Sequence, residues 1–293
     1  MEQWGALAAL GAALMWTVNG VIMEKNGVGL DGGALNLGRI ILGLVMITAA
    51  ALLLGFGALP LGAGVAGWLW LLLSGLIGFA LGDTLLVKGF LLIGARLTLL
   101  VFSFAPVLTA VLGYLFFGET LSALNLLGML LVLAGITIVI GVGGNRTAVP
   151  GRAKGLTFAF IASLAQAFGT VASKMGLMDM EPLAATQVRL IGGLLGMGVI
   201  FLLDRRWKHI AAVFRSPKGR LTVLSGAVLG TLFGVVLSMF AIRWSKAAVA
   251  STLMSTMPVL ILPISFFILR EKLRPKDLIG AALSFVGSAV LFI

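Results

Sequence analysis

The chain has no cysteine, a single histidine and only 11% charged residues over 293 positions. The absence of cysteine excludes disulfide bonds, thiolate catalysis and thiolate metal sites. His209 has no cluster of histidine or carboxylate residues beside it, so the sequence predicts no metal site, no cofactor and no catalytic residue. A soluble domain of this size also needs more polar surface than these residues provide. The sequence therefore indicates an integral membrane protein that is not an enzyme.

Apolar residues dominate instead, at 60% of the chain with a mean hydropathy of +1.15. Apolar runs of about 18 to 23 residues are long enough to cross a bilayer as helices. Ten such runs lie near residues 4–23, 33–55, 67–87, 97–117, 123–143, 155–174, 183–203, 221–242, 248–269 and 277–293. The sequence therefore predicts an all-α protein of ten transmembrane helices. The longest connection, residues 204–220, is too short and too charged to be a folded domain.

The net charge of +11 follows the predicted topology. Sixteen of the 21 Lys and Arg residues fall in connections on one side of the ten predicted spans, three on the other side and two inside spans. Because basic loops stay in the cytoplasm, this bias predicts a multi-pass plasma membrane protein with both termini outside. It also explains the positive charge without nucleic acid as a partner.

The second half of the sequence repeats the first. The residues Arg39, Pro106, Glu119, Gly128 and Gly135 return as Arg189, Pro258, Glu271, Gly280 and Gly287, at offsets of 150 and then 152. Residues 1–143 and 152–293 are thus predicted to be two five-helix units. An odd number of crossings makes the second unit enter the bilayer from the opposite face, so the repeat is predicted to be inverted, as in many secondary transporters.

Other repeated residues predict how the helices pack. Small residues recur one turn apart at Ser74, Gly78 and Gly82 and again at Gly226, Gly230 and Gly234, which favours close helix packing in the centre. Two further pairs are expected to shape the helices: Pro106 and Pro258 as kinks within spans, and Glu119 and Glu271 as caps at helix starts.

Two arginines lie inside predicted spans, at repeat-related positions. Arg39 and Arg189 are candidate gates or anchors for a substrate carboxylate, because guanidinium groups match carboxylates well. The other interpretation pairs Arg39 with Glu24, and Arg189 with Asp179 or Glu181. Pairing is favoured, since an unpaired buried charge is costly.

Asp83 is the one acid far from a span end. It is a candidate for proton coupling, because intramembrane carboxylates often belong to proton pathways. It is equally a candidate for a fixed ion pair that closes the cytoplasmic side. The sequence leaves these alternatives open.

Polar and aromatic residues near the middle of spans one and six are candidates for substrate binding. Trp16 and Asn19 lie three residues apart and Gln166 and Thr170 four apart, so each pair projects from one helix face. The alternative is hydrogen bonding between helices without a ligand. Weaker candidates for the same cavity are Ser103, Tyr114 and Ser255.

Together these positions carry a resemblance to a known family. The pattern Pro106, Gly118-Glu119, Gly128 and Gly135, repeated after Pro258, resembles the EamA-like transporters of the drug/metabolite transporter superfamily over the whole chain. That resemblance implies ten spans from duplicated five-span units, and export of amino acids or other small metabolites.

Span six is also similar to the first helix of the small multidrug resistance proteins, with Gly169-Thr170 and Lys174 at the same spacing. That family uses an embedded glutamate for proton coupling, and this chain has Gln166 at that position. The difference argues against cation exchange through this helix and leaves Asp83 as the acid for any proton coupling.

The resulting hypothesis is a transporter or facilitator that exports a small amino acid-like metabolite by alternating access. Its expected partners are the small-molecule substrate and the lipid bilayer, and the two-unit architecture predicts a functional monomer. One alternative is a proton-coupled multidrug efflux pump using Asp83. An alternative from another class is a nonselective channel or a structural membrane protein.

Overall fold

The computed structural model describes residues 1–27, 29–55, 57, 59–102, 104–140, 151–178, 180–205, 207–257, 259–260, 263–264 and 275–291. Within these ranges the regular structure is entirely helical. The N-terminal half contains α1 (Glu2–Asn26), α2 (Gly32–Leu53), α3 (Val65–Gly75), the π-helix π1 (Leu76–Gly82), α4 (Asp83–Phe102), α5 (Ala105–Phe117) and α6 (Ala123–Ile140). The C-terminal half contains α7 (Arg152–Gly176), α8 (Pro182–Asp204), α9 (Trp207–Arg215), α10 (Pro217–Ser225), the π-helix π2 (Gly226–Val235), α11 (Val236–Trp244), α12 (Ala247–Met254) and α13 (Pro275–Val290).

Six helical segments in the described part of the chain are long and apolar enough to cross a membrane. They are Glu2–Met23, Gly32–Leu53, Val65–Leu86, Arg152–Gly176, Pro182–Asp204 and Pro217–Trp244. Shorter apolar helices cover Ala105–Phe117, Ala123–Ile138 and Leu278–Val290. The predicted all-helical membrane protein is confirmed. The count of ten spans stays a prediction, because parts of the ninth and tenth fall outside the described residues.

Helices of the two halves pack against each other throughout the core. The first helix of each half packs on the broken helix of the other half: α1 contacts π2 and α11, whereas α7 contacts α3, π1 and α4. Further contacts between the halves include those of α8 with α2, α3 and π1, of α5 with α12, and of α6 with α13. The interior of the protein is therefore the interface between its halves.

The two small-residue triplets predicted from the sequence overlap the two π-helical segments. A π turn is wider than an α turn and is frequent at functional sites. In each segment a backbone carbonyl accepts a hydrogen bond from a neighbouring helix: Phe79 O accepts from Asn36 Nδ2 at 3.1 Å, and Gly230 O accepts from Trp16 Nε1 at 2.9 Å. The π segments thus present backbone acceptors to side chains in the core.

The third and fourth spans differ from the prediction. The sequence predicted separate spans at residues 67–87 and 97–117, but the helical path is continuous from Val65 to Phe102 and resumes at Ala105. Residues 88–96 contain no proline, and α4 packs along α7. Pro106 lies in the first turn of α5 rather than mid-span, where its missing N–H leaves no hydrogen bond unmade. Pro258 lies outside the described residues.

The connection predicted at residues 204–220 contains a short amphipathic helix. Trp207 and Phe214 on α9 are 47% and 43% exposed, and Lys208 and Arg215 add positive charge. This composition is typical of a helix that lies in the membrane interface. The next helix, α10, begins at Pro217, and the Ser216 hydroxyl accepts from Gly219 N at 3.3 Å as its cap.

Candidate functional site

Arg39 and Asp83 form an ion pair in the interior. Arg39 Nη2 lies 2.6 Å from Asp83 Oδ2 and also donates to Asn36 Oδ1 at 2.7 Å. Asn36 and Arg39 are one turn apart on α2, so both project from the same face. Asp83 directly follows π1. The ion pair and the Asn36 hydrogen bond to Phe79 O therefore tie α2 to the end of the π turn.

Arg189, from the C-terminal half of the protein, lies beside Phe79, which Arg39 also approaches. The residue is 4% exposed, and its Cζ lies 4.6 Å from the centre of the Phe79 ring. Arg39 Cζ lies 5.8 Å from the same ring. A guanidinium group is attracted to the face of an aromatic ring, and more so away from water. We name Asn36, Arg39, Phe79, Asp83 and Arg189 the arginine cluster.

Glycines in the π segments leave room for both arginines. A Cβ atom on Gly230 would lie 3.7 Å from Arg39 Nη1, and one on Gly78 would lie 3.2 Å from Arg189 Nη2. Gly78 and Gly230 are repeat-related, at the offset of 152 found for the triplets. Each arginine therefore lies against the equivalent glycine of the opposite half.

Of the predicted partners of the two arginines, only Glu181 has a described side chain, and it contacts a different arginine. Arg39 pairs with Asp83, which is distant in sequence but is placed beside α2 by the packing of π1. Glu181 pairs with Arg243 instead of Arg189, with Arg243 Nη1 3.2 Å from Glu181 Oε2. Asp179 lies outside the described residues, as does the side chain of Glu24.

Trp16 and Asn19 lie beside π2, next to the arginine cluster. Besides the hydrogen bond to Gly230 O, the Trp16 indole fills the space at Gly234, where a Cβ would meet its Cδ1 at 2.7 Å. Asn19 Oδ1 accepts from Ser225 Oγ at 3.2 Å. A Cβ on Gly230 would lie 3.3 Å from Asn19 Nδ2, on the glycine that Arg39 also approaches. Trp16 and Asn19 therefore border the arginine cluster.

Gln166 and Thr170 lie on α7, the helix that approaches Arg189 at Gly169. Gly169 belongs to the same turn, and a Cβ there would lie 3.7 Å from Arg189 Nη2. Gln166 is partly buried, whereas Thr170 is 1% exposed and its hydroxyl donates to Gln166 O at 2.9 Å. Gln166 has the accessible side chain of the two.

Two of the three weaker candidates, Ser255 and Tyr114, have no described contact with the arginine cluster. Ser255 Oγ donates to Ser251 O at 2.9 Å in its own helix. Tyr114 is 62% exposed on α5, a placement typical of lipid contact. Ser103 lies outside the described residues.

Two members of the arginine cluster were missed by the sequence analysis. Asn36 precedes Arg39 by one turn inside a span, and this spacing of two polar residues is a signal that the sequence does contain. Phe79 carries no such signal, because the chain has 18 phenylalanines and only its neighbours distinguish this one. Among the described residues, no group of three or more His, Asp or Glu side chains is placed to hold a metal ion.

Glu119 forms a separate ionic contact, and this one joins the two halves. Its carboxylate contacts Lys174 Nζ, and Glu119 Oε2 accepts from Ala247 N at 3.0 Å, which caps α12. Lys174 Nζ also donates to Ser245 O at 2.8 Å. Glu119 was predicted to cap the helix that follows it in sequence; it caps one from the other half. Glu271 lies outside the described residues.

Replacing Glu119 with alanine is expected to destabilise the protein by about 1–3 kcal/mol, because a helix cap and a charged hydrogen bond are lost together. Glu119→Gln keeps an acceptor for Ala247 N and should lose less. Thermal unfolding in detergent measures both variants. The matched control is Glu181→Gln, whose pair with Arg243 has a 62% exposed carboxylate and should matter little. Equal melting temperatures for Glu119→Ala and this control would contradict the capping role.

The fold and the arginine cluster define a polytopic membrane protein with charged residues at the interface of two helical halves. The chain belongs to the EamA-like transporter family, whose family profile matches residues 3–141 and again residues 153–293. The two matches give the chain the two-repeat architecture of that family.

Relatives agree with this assignment. The chain is 26% identical over 156 residues to the uncharacterized transporter YxxF of Bacillus subtilis. The match covers 53% of this chain and 47% of YxxF. It is 27% identical over 122 residues to the uncharacterized inner membrane transporter YhbE of Escherichia coli, covering 42% of this chain and 37% of YhbE. The matches thus span about half or less of these relatives.

A solved crystal structure shares the fold over nearly the whole chain. It has a TM-score of 0.77 at 18% identity, and the match covers 98% of this chain and 95% of the other. At this identity the likeness concerns the fold alone.

Proposed function

We propose that the protein is a secondary transporter that exports a small amino acid-like metabolite across the plasma membrane by alternating access. The proposal takes residues 1–143 and 152–293 as two inverted units that move relative to each other. The observation that carries it is the arginine cluster: α2, π1, α4 and α8 bring its charges together at the interface of the halves.

A charged cluster at this interface fits a moving carrier. Intramembrane charges are costly and typically face a partner or a water-filled cavity. Arg39 and Arg189 each lie against a glycine of the opposite half, so movement between the halves would change the surroundings of both guanidinium groups. Such a site responds to the conformational state, as alternating access requires.

The bordering side chains favour a small polar substrate. Asn19 on α1 and Gln166 on α7 offer amide groups, and Trp16 offers an indole surface. Hydrogen bonds and aromatic contact suit an amino acid better than a large apolar drug. We propose a plasma membrane location with both termini outside, in line with the basic connections and with the inner membrane relative YhbE.

Asp83 keeps a second candidate in consideration, a proton-coupled efflux pump. Its side chain is 31% exposed, and exposure of an intramembrane acid points to a water-filled cavity through which protons reach it. The ion pair with Arg39 favours the metabolite carrier, because it gives Asp83 a role as the counterion of a buried arginine.

Counterflow in proteoliposomes tests the proposal. Vesicles preloaded with unlabelled amino acids are expected to take up labelled ones in a saturable way, with no dependence on a pH gradient. Uptake that rises linearly with concentration would overturn the carrier and favour a nonselective channel.

The same assay separates the two carriers. If a proton gradient drives accumulation, and Asp83→Asn abolishes that accumulation while leaving downhill exchange, the pump is correct and the uncoupled carrier is wrong. The control variant is Asp204→Asn, an exposed acid at the end of α8.

A further inference from the structure

Among the described side chains, the arginine cluster has a positive charge that no acid balances. It contains two guanidinium groups and a single carboxylate, so its net charge is +1. The position related to Asp83 by the repeat offset of 152 is Val235, which is 2% exposed and apolar. Both copies of the repeat therefore carry the arginine, but only the first carries the acid. An excess charge in the interior is costly unless a ligand balances it.

Hydrogen-bond donors are also in excess. Within the described residues, Arg39 Nε and Arg189 Nε are buried without a hydrogen-bond partner. Arg189 is the more extreme of the two, since it is 4% exposed and the Asp83 carboxylate forms its ion pair with Arg39. Buried donors in native proteins are normally satisfied, and those on a charged group most of all. Within the described part of the chain, this excess of charge and of donors suits an acceptor with negative charge.

We propose that Arg189 binds one carboxylate group of the transported molecule. The inference rests on the proposed function and names its substrate class: small organic acids or zwitterions that carry a single carboxylate, and not cations. The Arg189 Cζ lies 4.6 Å from the centre of the Phe79 ring, and the N–H groups of a guanidinium can make an in-plane, two-point contact with a carboxylate. Asp83 keeps Arg39 neutralised, so one negative charge completes the balance.

The rest of the centre is compatible with access by such a molecule. The side chains of Asp83 and Arg39 are 31% and 16% exposed, so the cluster is not sealed. Gly78 and Gly169 flank Arg189 Nη2 without side chains, and Gln166 is on the same turn of α7 as Gly169. Once Arg189 holds the carboxylate, the remainder of the molecule lies toward these accessible polar residues.

The test uses four probes that share a phenylethyl skeleton and differ in their charged groups: 3-phenylpropanoate, phenylalanine, 3-phenylpropanamide and 2-phenylethylamine. Ligand-induced shifts of the melting temperature are measured for the purified full-length protein in detergent. The two carboxylate probes are expected to raise the melting temperature in a saturable way, whereas the neutral amide and the cationic amine are not. Loss of the charged contact in Arg189→Gln should weaken carboxylate binding about 10- to 100-fold.

Two further variants keep the result interpretable. Arg189→Lys retains the charge but not the planar fork, so it should bind carboxylates with intermediate strength. Arg243→Gln removes an arginine outside the cluster and should bind as the unmodified protein does. If Arg189→Gln does not fold, the comparison of Arg189→Lys with Arg243→Gln decides in its place, and equal binding by these two overturns the proposal.

Other outcomes separate this inference from the proposed function. Carboxylate binding that Arg189→Gln loses, in a protein without saturable counterflow, would support the site and overturn the carrier. Saturable counterflow of the amine probe, unaffected in Arg189→Lys, would leave the carrier standing and overturn the carboxylate site. The absence of a shift with either carboxylate probe would also overturn it.

Discussion

Asp83→Asn is expected to destabilise the protein by about 3–5 kcal/mol, because it leaves buried guanidinium groups without their only carboxylate in the cluster. Arg39→Gln should cost less. In that variant Asp83 still lies in the field of Arg189, so the interior keeps one cation and one anion. The asymmetry follows from the count of charges: removing the acid raises the net charge of the cluster from +1 to +2, whereas removing Arg39 lowers it to zero.

Unfolding in denaturing detergent, followed by the circular dichroism signal of the helices, measures this difference. Asp204→Asn is the matched control, since it removes an exposed carboxylate from α8 and should change stability little. The double variant Arg39→Gln, Asp83→Asn completes a double-mutant cycle that isolates the pair. Equal destabilisation by the two single variants would contradict the charge count, and a zero coupling energy would mean that the ion pair contributes nothing.

The class of protein and its repeat could be predicted because they depend on composition and spacing. Ten apolar runs and the return of Arg39 as Arg189 can be read along the chain, and the family profile matches each half separately. The candidate charges could also be identified, since charged residues inside apolar runs are rare. These features are local or periodic, and no knowledge of packing is needed to find them.

The contacts of those charges could not be predicted in the same way. Asp83 is distant from Arg39 in sequence, but helix packing decides which acids are near in space, and π1 carries Asp83 to α2. Glu119 shows the same effect, since the helix that it caps begins more than a hundred residues later, at Ala247. A wide π turn leaves no recognisable pattern in an apolar, glycine-rich run.

Close approach of α3 and α8 sets the position of Arg189. A Cβ on Gly75 would overlap the carbonyl oxygen of Arg189, and one on Gly192 would overlap the carbonyl oxygen of Leu72. The obstructing atoms are backbone, which cannot rotate away as the end of a side chain does. In the bilayer, small residues take the place of the hydrophobic effect by letting helices meet at short range. The tight contact is thus made by glycines beside the predicted triplet as well as within it.

Gly192→Ala is consequently expected to destabilise the protein by about 3 kcal/mol or more, at the upper end of what overpacking costs, and to displace Arg189 from Phe79. Gly198→Ala on the same helix is the control, because a Cβ there meets nothing within 4 Å. Alanine favours helix over glycine by up to about 1 kcal/mol, so the control should be neutral or slightly stabilised. Thermal unfolding compares the two variants under identical conditions.

The contact between α3 and α8 also determines what Gly192→Ala should do to ligand binding. If α8 must move away from α3, Arg189 loses its place over the ring, so carboxylate binding should weaken even in the fraction of Gly192→Ala that remains folded. Binding should be unchanged in Gly198→Ala. Equal stability of the two alanine variants would mean that the helices do not meet as closely as described. If Gly192→Ala is destabilised but binds carboxylates as before, the packing of α8 against α3 does not determine the position of Arg189.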